Sequence, residues 1–443
     1  MTNNITVYVA FDLSAGGGNY FTLDDPTKGL LNNTSYLLSG DILTDVTQYV
    51  TSVSIDRGKS RELEGYNSGT ATIVFNNESR IFDPFYTAGT YYGQLVPRKQ
   101  VTIELNGELI YSGYVRAWDL QYDLSGKSNA TVSAVDGFAF LSTDVLNAQT
   151  ATAETSGYRI IDILNAPEVA WPAALRDIDS GEQMLVADSI ADGTNVLNYL
   201  QLVEQSEPGA LFMSRDGLVT FRDSTFAAIP SVTKASPVLP AGGGGSGGIH
   251  PTGGGSSSVL TWKQQIVFTD NPTDATDIRY NGINVIYGTE QLANYVSITA
   301  VGGATQTVQD AASIASYGLA GLSIDGLLMD SDSAALQMAY WYANRYAQPV
   351  LRVESLRITL HDKADQIVNQ LAIVELNDVV RVVYTPNGIG DAIDEYLVVS
   401  AISHSINNDT HEMEIKFSTT TEDVAFILDN TTFGLLDTNR LGY

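Results

Sequence analysis

Val101-Thr102-Ile103-Glu104-Leu105-Asn106-Gly107-Glu108-Leu109-Ile110-Tyr111 is the segment that decides the fold class. Its two arms are rich in β-branched and large apolar residues and are joined by Asn-Gly. That dipeptide accepts the positive φ of a type I′ turn, whose twist matches paired strands, so the segment predicts a tight β-hairpin. The same signals extend on both sides. Tyr49, Thr51, Val53 and Ile55 fall on one face of an extended chain, and Gly69-Thr70-Ala71-Thr72-Ile73-Val74-Phe75 is again β-branched and aromatic. Residues 114–119 and 130–134 continue the pattern. Residues 1–150 therefore read as an N-terminal β domain, with a short helix over 136–147 leading out of it.

The period then changes. Tyr158, Ile161, Ile163 and Leu164 predict a helix opened by a serine cap at Ser156, and Val196, Leu197, Leu200 and Val203 recur at helical spacing. Leu211-Phe212-Met213 and Leu218-Val219-Thr220-Phe221 flank Asp216-Gly217 as a second hairpin. Residues 151–238 thus read as a mixed α+β domain. Residues 239–258 are so rich in Gly and Ser that a flexible loop is expected, and no Gly-Lys-Ser/Thr follows to suggest a phosphate cradle. Residues 259–425 predict a second β domain, with strands over 277–287, 296–299, 351–360, 379–384, 396–402 and 412–417. A helix over 333–347 interrupts it, with Leu336, Ala339, Tyr340, Ala343 and Ala347 on one face and Ser331 or Ser333 as cap, ended by Pro349. Residues 426–443 form a C-terminal tail. The fold class expected is mainly β with α+β insertions.

Composition narrows the function. The 443 residues carry 23 Lys plus Arg against 51 Asp plus Glu, a net charge of −28. So acidic a surface repels nucleic-acid phosphate and anionic lipid, which argues against DNA or membrane binding by counterion release. Cysteine is absent, removing disulfides, thiolate metal sites and Cys nucleophiles together. The N-terminus lacks the pattern of a signal peptide and no apolar run is long enough for a membrane span, so a soluble protein made in the cytoplasm is expected.

Catalytic signatures are missing. No Gly-x-Ser-x-Gly elbow and no His-Glu-x-x-His helix occurs. His404 and His411 flank an expected turn and could face each other across its strands, but surface or turn histidines without a metal are the expectation. Asp177-Ile178-Asp179-Ser180-Gly181-Glu182 begins like a calcium loop, yet its glycine falls at the fifth position and its twelfth is Asp188 rather than Glu. Among 51 acids no pair is singled out for glycoside hydrolysis. The 23 tyrosines fit sheet faces and subunit interfaces better than sugar platforms. No enzyme, cofactor or metal is expected. Two further features suggest contacts. Arg57, Lys59 and Arg61 form one basic cluster suited to acids on a neighbouring subunit. Phe21-Thr22-Leu23-Asp24-Asp25 is echoed by Phe426-Ile427-Leu428-Asp429-Asn430, so Phe21, Leu23, Phe426 and Leu428 could form apolar clips near the two termini. Arg80 is a further candidate contact, in a segment (80–84) that otherwise reads as structural, with Phe82 buried and Pro84 ending a strand.

Several segments resemble the tail hub (baseplate hub, or minor tail) proteins of long-tailed bacteriophages. They are Phe21 to Leu31, Gly40-Asp41-Ile42-Leu43-Thr44-Asp45-Val46-Thr47, and Asp56-Arg57-Gly58-Lys59-Ser60-Arg61, which is like that family's Arg-Gly-Arg-Ser run with Lys59 for the second Arg. Arg80-Ile81-Phe82-Asp83-Pro84, Tyr91-Tyr92-Gly93, Pro97-Arg98-Lys99 and Gly113-Tyr114-Val115 add to them, and Leu376-Asn377-Asp378-Val379-Val380 and Tyr384-Thr385-Pro386 match more loosely. The resemblance implies two tail-tube-like β-barrel or sandwich domains per chain and a homotrimer forming a pseudo-sixfold ring. The implied partners are the distal tail or tail-tube protein, the tape-measure protein and a central fibre or spike. DNA would pass only in transit through the lumen of a virion tail tip, with no membrane insertion. The readings that compete with a structural hub are a receptor- or carbohydrate-binding tail protein and a cell-wall hydrolase.

Overall fold

The computed structural model describes residues 5–11, 42–224 and 266–419. The Gly/Ser-rich stretch and the clip residues Phe21, Leu23, Phe426 and Leu428 lie outside the described residues.

Seven strands build the N-terminal block: β1 (Ile5–Phe11), β2 (Ile42–Asp45), β3 (Val50–Gly58), β4 (Asn67–Asn76), β5 (Gln100–Leu105), β6 (Glu108–Tyr122) and β7 (Ser128–Val135). They pair antiparallel in the order β2-β1-β5-β6-β7-β4-β3. β5 and β6 are the arms of the Asn-Gly hairpin, and Asn106 and Gly107 have φ of 53° and 86°, as a type I′ turn requires. Period-2 alternation puts Val53, Ile55 and Arg57 of β3 on the buried face, with Ser54 and Asp56 outside. Phe82 is fully buried, stacked on Phe75 at 4.6 Å and against Trp118 at 5.9 Å and Tyr91 at 5.6 Å. It pins onto the sheet the series of turns in which Pro84 sits, so Pro84 ends no strand. The helix expected over 136–147 is only Phe138–Leu141, because Val145 and Leu146 pair instead with Asn195 and Thr194.

The C-terminal block is organised by one strand of 15 residues, Ile393–Asn407. His411–Thr419 pairs along one of its edges. The opposite edge is shared end to end: Val379–Tyr384 pairs with residues 393–398, and β3 takes over from residue 401 to 407. Register shifts at Val399/Ala401 and at Asp56/Gly58 accommodate the handover. There the backbones come very close, since a Cβ on Gly58 would lie 2.4 Å from the Ala401 Cα, and Gly58 has φ +121°. Through this strand both blocks join one 14-stranded sheet. The fold is mainly β with α+β insertions, as expected. The sheet is open and branched, and among the described residues it does not close into a barrel.

In the middle region the helices Ser156–Asn165 and Val196–Ser206 pack against each other and around the hairpin Ala210–Met213/Val219–Arg222. Ser156 does not cap the first helix. Thr155 is its N-cap residue, and the Ser156 hydroxyl donates to Glu207. Tyr158, expected on the apolar face, is exposed, whereas Arg159 is fully buried. Its guanidinium donates to Glu154, Tyr199 Oη and the carbonyls of Thr152 and Val186, so the buried cation is answered on several sides. Asp177 and Asp179 of the calcium-like loop both pair with Arg222.

Residues 293–347 carry a second apolar core of their own. Helix Asp332–Tyr346, capped by Ser331, covers the strands Tyr295–Ala300 and Gln306–Gln309, and Gly321–Leu327 pairs along the other edge of Tyr295–Ala300. Its buried stripe is Ala335, Met338, Ala339, Ala343 and Tyr346; Tyr340 faces outward. The stripe is rotated from the expected one because Met338 and Tyr346 supply the bulk that fills this small core.

Gly58→Ala combines forbidden φ with a backbone collision at the sheet junction. It should lower unfolding stability by more than about 1 kcal/mol in denaturant titration. A variant as stable as the parent would show that the handover is not the constraint described.

Candidate functional site

The basic run leaves β3 at the sheet junction and runs between the other parts of the chain. Alternation along β3 turns Arg57 inward, where its guanidinium meets Glu375 Oε1 at 2.5 Å and the Met213 carbonyl at 3.1 Å. Glu375 also accepts from the Arg215 and Leu376 amides. Arg57 thus ties the N-terminal sheet to the middle hairpin and to the C-terminal block. Beside it Asp136 accepts from Ser68, Gly69 and Phe138, and burial still pushes its carboxyl up to about 6. Lys59 donates to the Glu62 carbonyl and lies 5.2 Å from the centre of the Tyr66 ring. Burial pushes its ammonium down, against the pull of Glu62 and Glu204. Arg61 is the member of the run that faces solvent, its side chain 82% exposed. Arg80 lies elsewhere, half-exposed, paired with Asp83 at 2.6 Å and over the Tyr86 ring.

Glu62 follows directly. Its Oε1 accepts from Arg345 at 3.0 Å, Tyr346 Oη at 3.0 Å, and the Thr419 amide and hydroxyl at 3.1 and 2.8 Å. One carboxylate oxygen therefore holds the end of helix Asp332–Tyr346 and the end of strand His411–Thr419 to the N-terminal block. Between these anchors lies a cavity of about 140 Å³, lined by Lys59, Tyr66, Glu204, Trp341, Tyr342 and Arg345 among others. Glu204 is 7% exposed. Its Oε1 accepts from the Leu211 amide at 2.9 Å, and its Oε2 has no partner among the described residues. Burial pushes this carboxyl up to about 7, with the Leu211 amide and Lys59 opposing. Leaving a buried polar atom unpaired costs about 1–3 kcal/mol, so the site holds Glu204 at the expense of stability.

His404 and His411 do face each other, with Nδ1 and Nε2 3.0 Å apart. They are buried, not the surface or turn residues expected, because the strands on either side continue to the turn. Burial pushes both down, His411 to about 4 and His404 well below the usual imidazole range, with His411 and Arg57 adding to the latter. Two ring nitrogens alone hold no metal firmly, and among the described residues no group of three or more His, Cys, Asp or Glu side chains is placed to bind one.

Sequence reasoning named Arg57 but missed its acids. The alternation of β3 carried the signal for its inward turn. Glu204 was also legible, since it lies four residues after Leu200 on the apolar face of its helix. Nothing in the sequence marks Glu62 or Glu375.

No family model and no curated protein sequence matches the chain. Solved structures do. The 43 kDa tail protein of prophage MuSo2 from Shewanella oneidensis superposes with a TM-score of 0.55 at 15% identity, over 94% of this chain and 97% of that one. This chain has the fold of a prophage tail protein. The tail protein from Neisseria meningitidis MC58 agrees, with a TM-score of 0.53 at 12% identity over 93% and 96% of the two chains.

Two outcomes follow. Glu375→Met or Arg57→Met alone should destabilise by roughly 3–5 kcal/mol, while the double replacement costs much less; additive losses in a double-mutant cycle would refute the pairing. For Glu204, a folded pKa above the unfolded one favours the fold fully below about pH 4, and that advantage is lost as pH rises through about 7. Glu204→Gln should therefore gain on the parent by roughly 2–3 kcal/mol between pH 5 and pH 8, read from denaturant midpoints. Parallel pH curves would contradict the burial described.

Proposed function

We propose that this chain is a structural, non-enzymatic subunit of a phage tail tip. In this reading it is a hub that assembles as a homotrimer and joins the tube or distal tail protein to the tape measure and the central fibre or spike. The observation that carries the reading is the extent of the fold likeness, which covers nearly the whole of this chain and of the Shewanella tail protein. All three parts of the chain are thus included, not one grafted module. A sheet that stays open among the described residues suits a subunit whose strands continue into neighbours. A net charge of −28 suits a ring whose lumen lets DNA phosphates slide past without holding them. Of the basic run, exposed Arg61 is the side chain available to an acidic neighbour; Arg80 and the terminal clips are further contacts in the same proposal. The chain would be made in the host cytoplasm and act in the virion.

Mass in solution tests the assembly: a trimer, alone or with tail partners, is expected. Arg61→Glu should reduce incorporation into tails while leaving the thermal midpoint unchanged. A chain that stays monomeric with every tail partner and degrades cell-wall polymer would replace the hub with the hydrolase reading.

A further inference from the structure

Two buried histidines stand on the core side of the sheet junction. His404 lies in the middle of residues 401–407, directly opposite Ile55 of β3 and diagonal to Arg57. His411 follows on the neighbouring strand, opposite Ile406. The rings are 3% and 0% exposed, with His404 Nδ1 and His411 Nε2 3.0 Å apart. A contact of that length needs an N–H on one ring and a lone pair on the other, so both rings cannot be cations. A single added proton either takes that lone pair and breaks the bond, or leaves a net charge inside the sheet. At His404 that charge would stand beside Arg57, already a cation and committed to Glu375 and the Met213 carbonyl. The other charges on these strands lie elsewhere. Asp56, Glu412, Glu414 and Lys416 alternate to the opposite face, as do Glu354 and Arg357 of strand Leu351–Thr359. His361 and Asp362, past the end of that strand, are exposed, and the buried Asp136 is held by Ser68, Gly69 and Phe138.

We propose that this histidine pair is an acid-sensitive latch on the sheet junction, which releases residues 401–407 from β3 in acid while the rest of each block stays folded. Burial moves both imidazoles down, His411 to about 4. Opening the junction returns them to water and to the ordinary value near 6.5. The closed form is therefore fully favoured above about pH 6.5, and that advantage is lost as pH falls toward about 4. Asp136 and Glu204, pushed up to about 6 and about 7, run the other way across the same window. Whole-chain stability thus mixes opposite slopes, and the latch is read only by a local probe. It stands apart from the hub reading, since it requires only the folded chain and no tail partner.

Amide hydrogen exchange of the full chain at pH 7 and pH 5, expressed as protection factors, supplies that probe. A histidine that is neutral in the closed form and ordinary in the open one raises the opening constant about 25-fold over this range. Protection over residues 52–58 and 401–407 should therefore fall at least about 25-fold, while strand β5 keeps its own. Equal protection at the two pH values overturns the proposal. So does an equal fall in β5, which is the mark of whole-chain unfolding. The double variant His404→Gln/His411→Gln removes the titration but keeps hydrogen-bonding side chains at both positions. It should flatten the response, and a fall as large as the parent's counts against the latch. Should that variant not fold, carbon-13 NMR of the histidine rings in the unaltered chain decides. Both rings of the pair should stay neutral down to pH 5, and a ring of the pair that titrates near 6.5 with the junction still protected overturns the proposal.

Discussion

The edge of the long strand Ile393–Asn407, divided between Val379–Tyr384 and β3, is the constraint on which the remaining architecture depends. Antiparallel pairing leaves no freedom in register once one face is buried, because a slip of one residue would turn Ile402, Ile406, Val53 and Ile55 to the wrong side. With that register fixed, Gly58 must cross Ala401 at close range, and the segment after it can only leave toward the gap between the middle and C-terminal regions. The positions of Arg57 and Glu62 follow from this. Neither residue chooses its partners; the strand delivers them.

The two anchors differ in kind. Arg57 and Glu375 form a buried ion pair, whose desolvation cost about offsets its attraction. Its effect is on specificity: any other docking of the middle hairpin would leave a charge buried and unpaired. Glu62 instead gathers neutral and charged donors onto one oxygen and needs less exact geometry from each. Between them the chain leaves an unfilled polar space, where apolar packing gives way to carboxylates, aromatic rings and two cations. The apolar core of residues 293–347 is separate from the main one, so this joint is held chiefly by polar contacts on the side that faces Glu62.

Local features were legible in the sequence. The Asn-Gly and Asp-Gly hairpins, the helix after Ser331 and most strands follow from periods and turn residues that act over a few positions. The misses have physical causes. Tyr340 fits a helical stripe as well as Met338 does, and only the shape of the small core selects between them. Ser156 is a good capping residue by type, but a buried Glu207 competes for its hydroxyl. Histidines beside a turn read as exposed because the sequence does not reveal how far a strand runs before it bends. The joint of the two blocks was illegible for a different reason. It pairs residues more than 300 positions apart, and no local period encodes which distant edge a strand will meet.

That separation has a consequence in time. During synthesis β3 emerges early, whereas its partner 401–407 is among the last strands made. At ordinary translation rates of about 5–20 residues per second, one edge of β3 waits roughly 20–70 s for the backbone that will cover it. A bare edge of that kind is a template for pairing with another nascent chain. The residues that follow β3, Lys59, Ser60 and Arg61, carry charge and polarity at the exit of that edge, and the inward Arg57 disfavours stacking on an apolar neighbour until Glu375 arrives. The same arginine that fixes the finished joint thus guards the unfinished one.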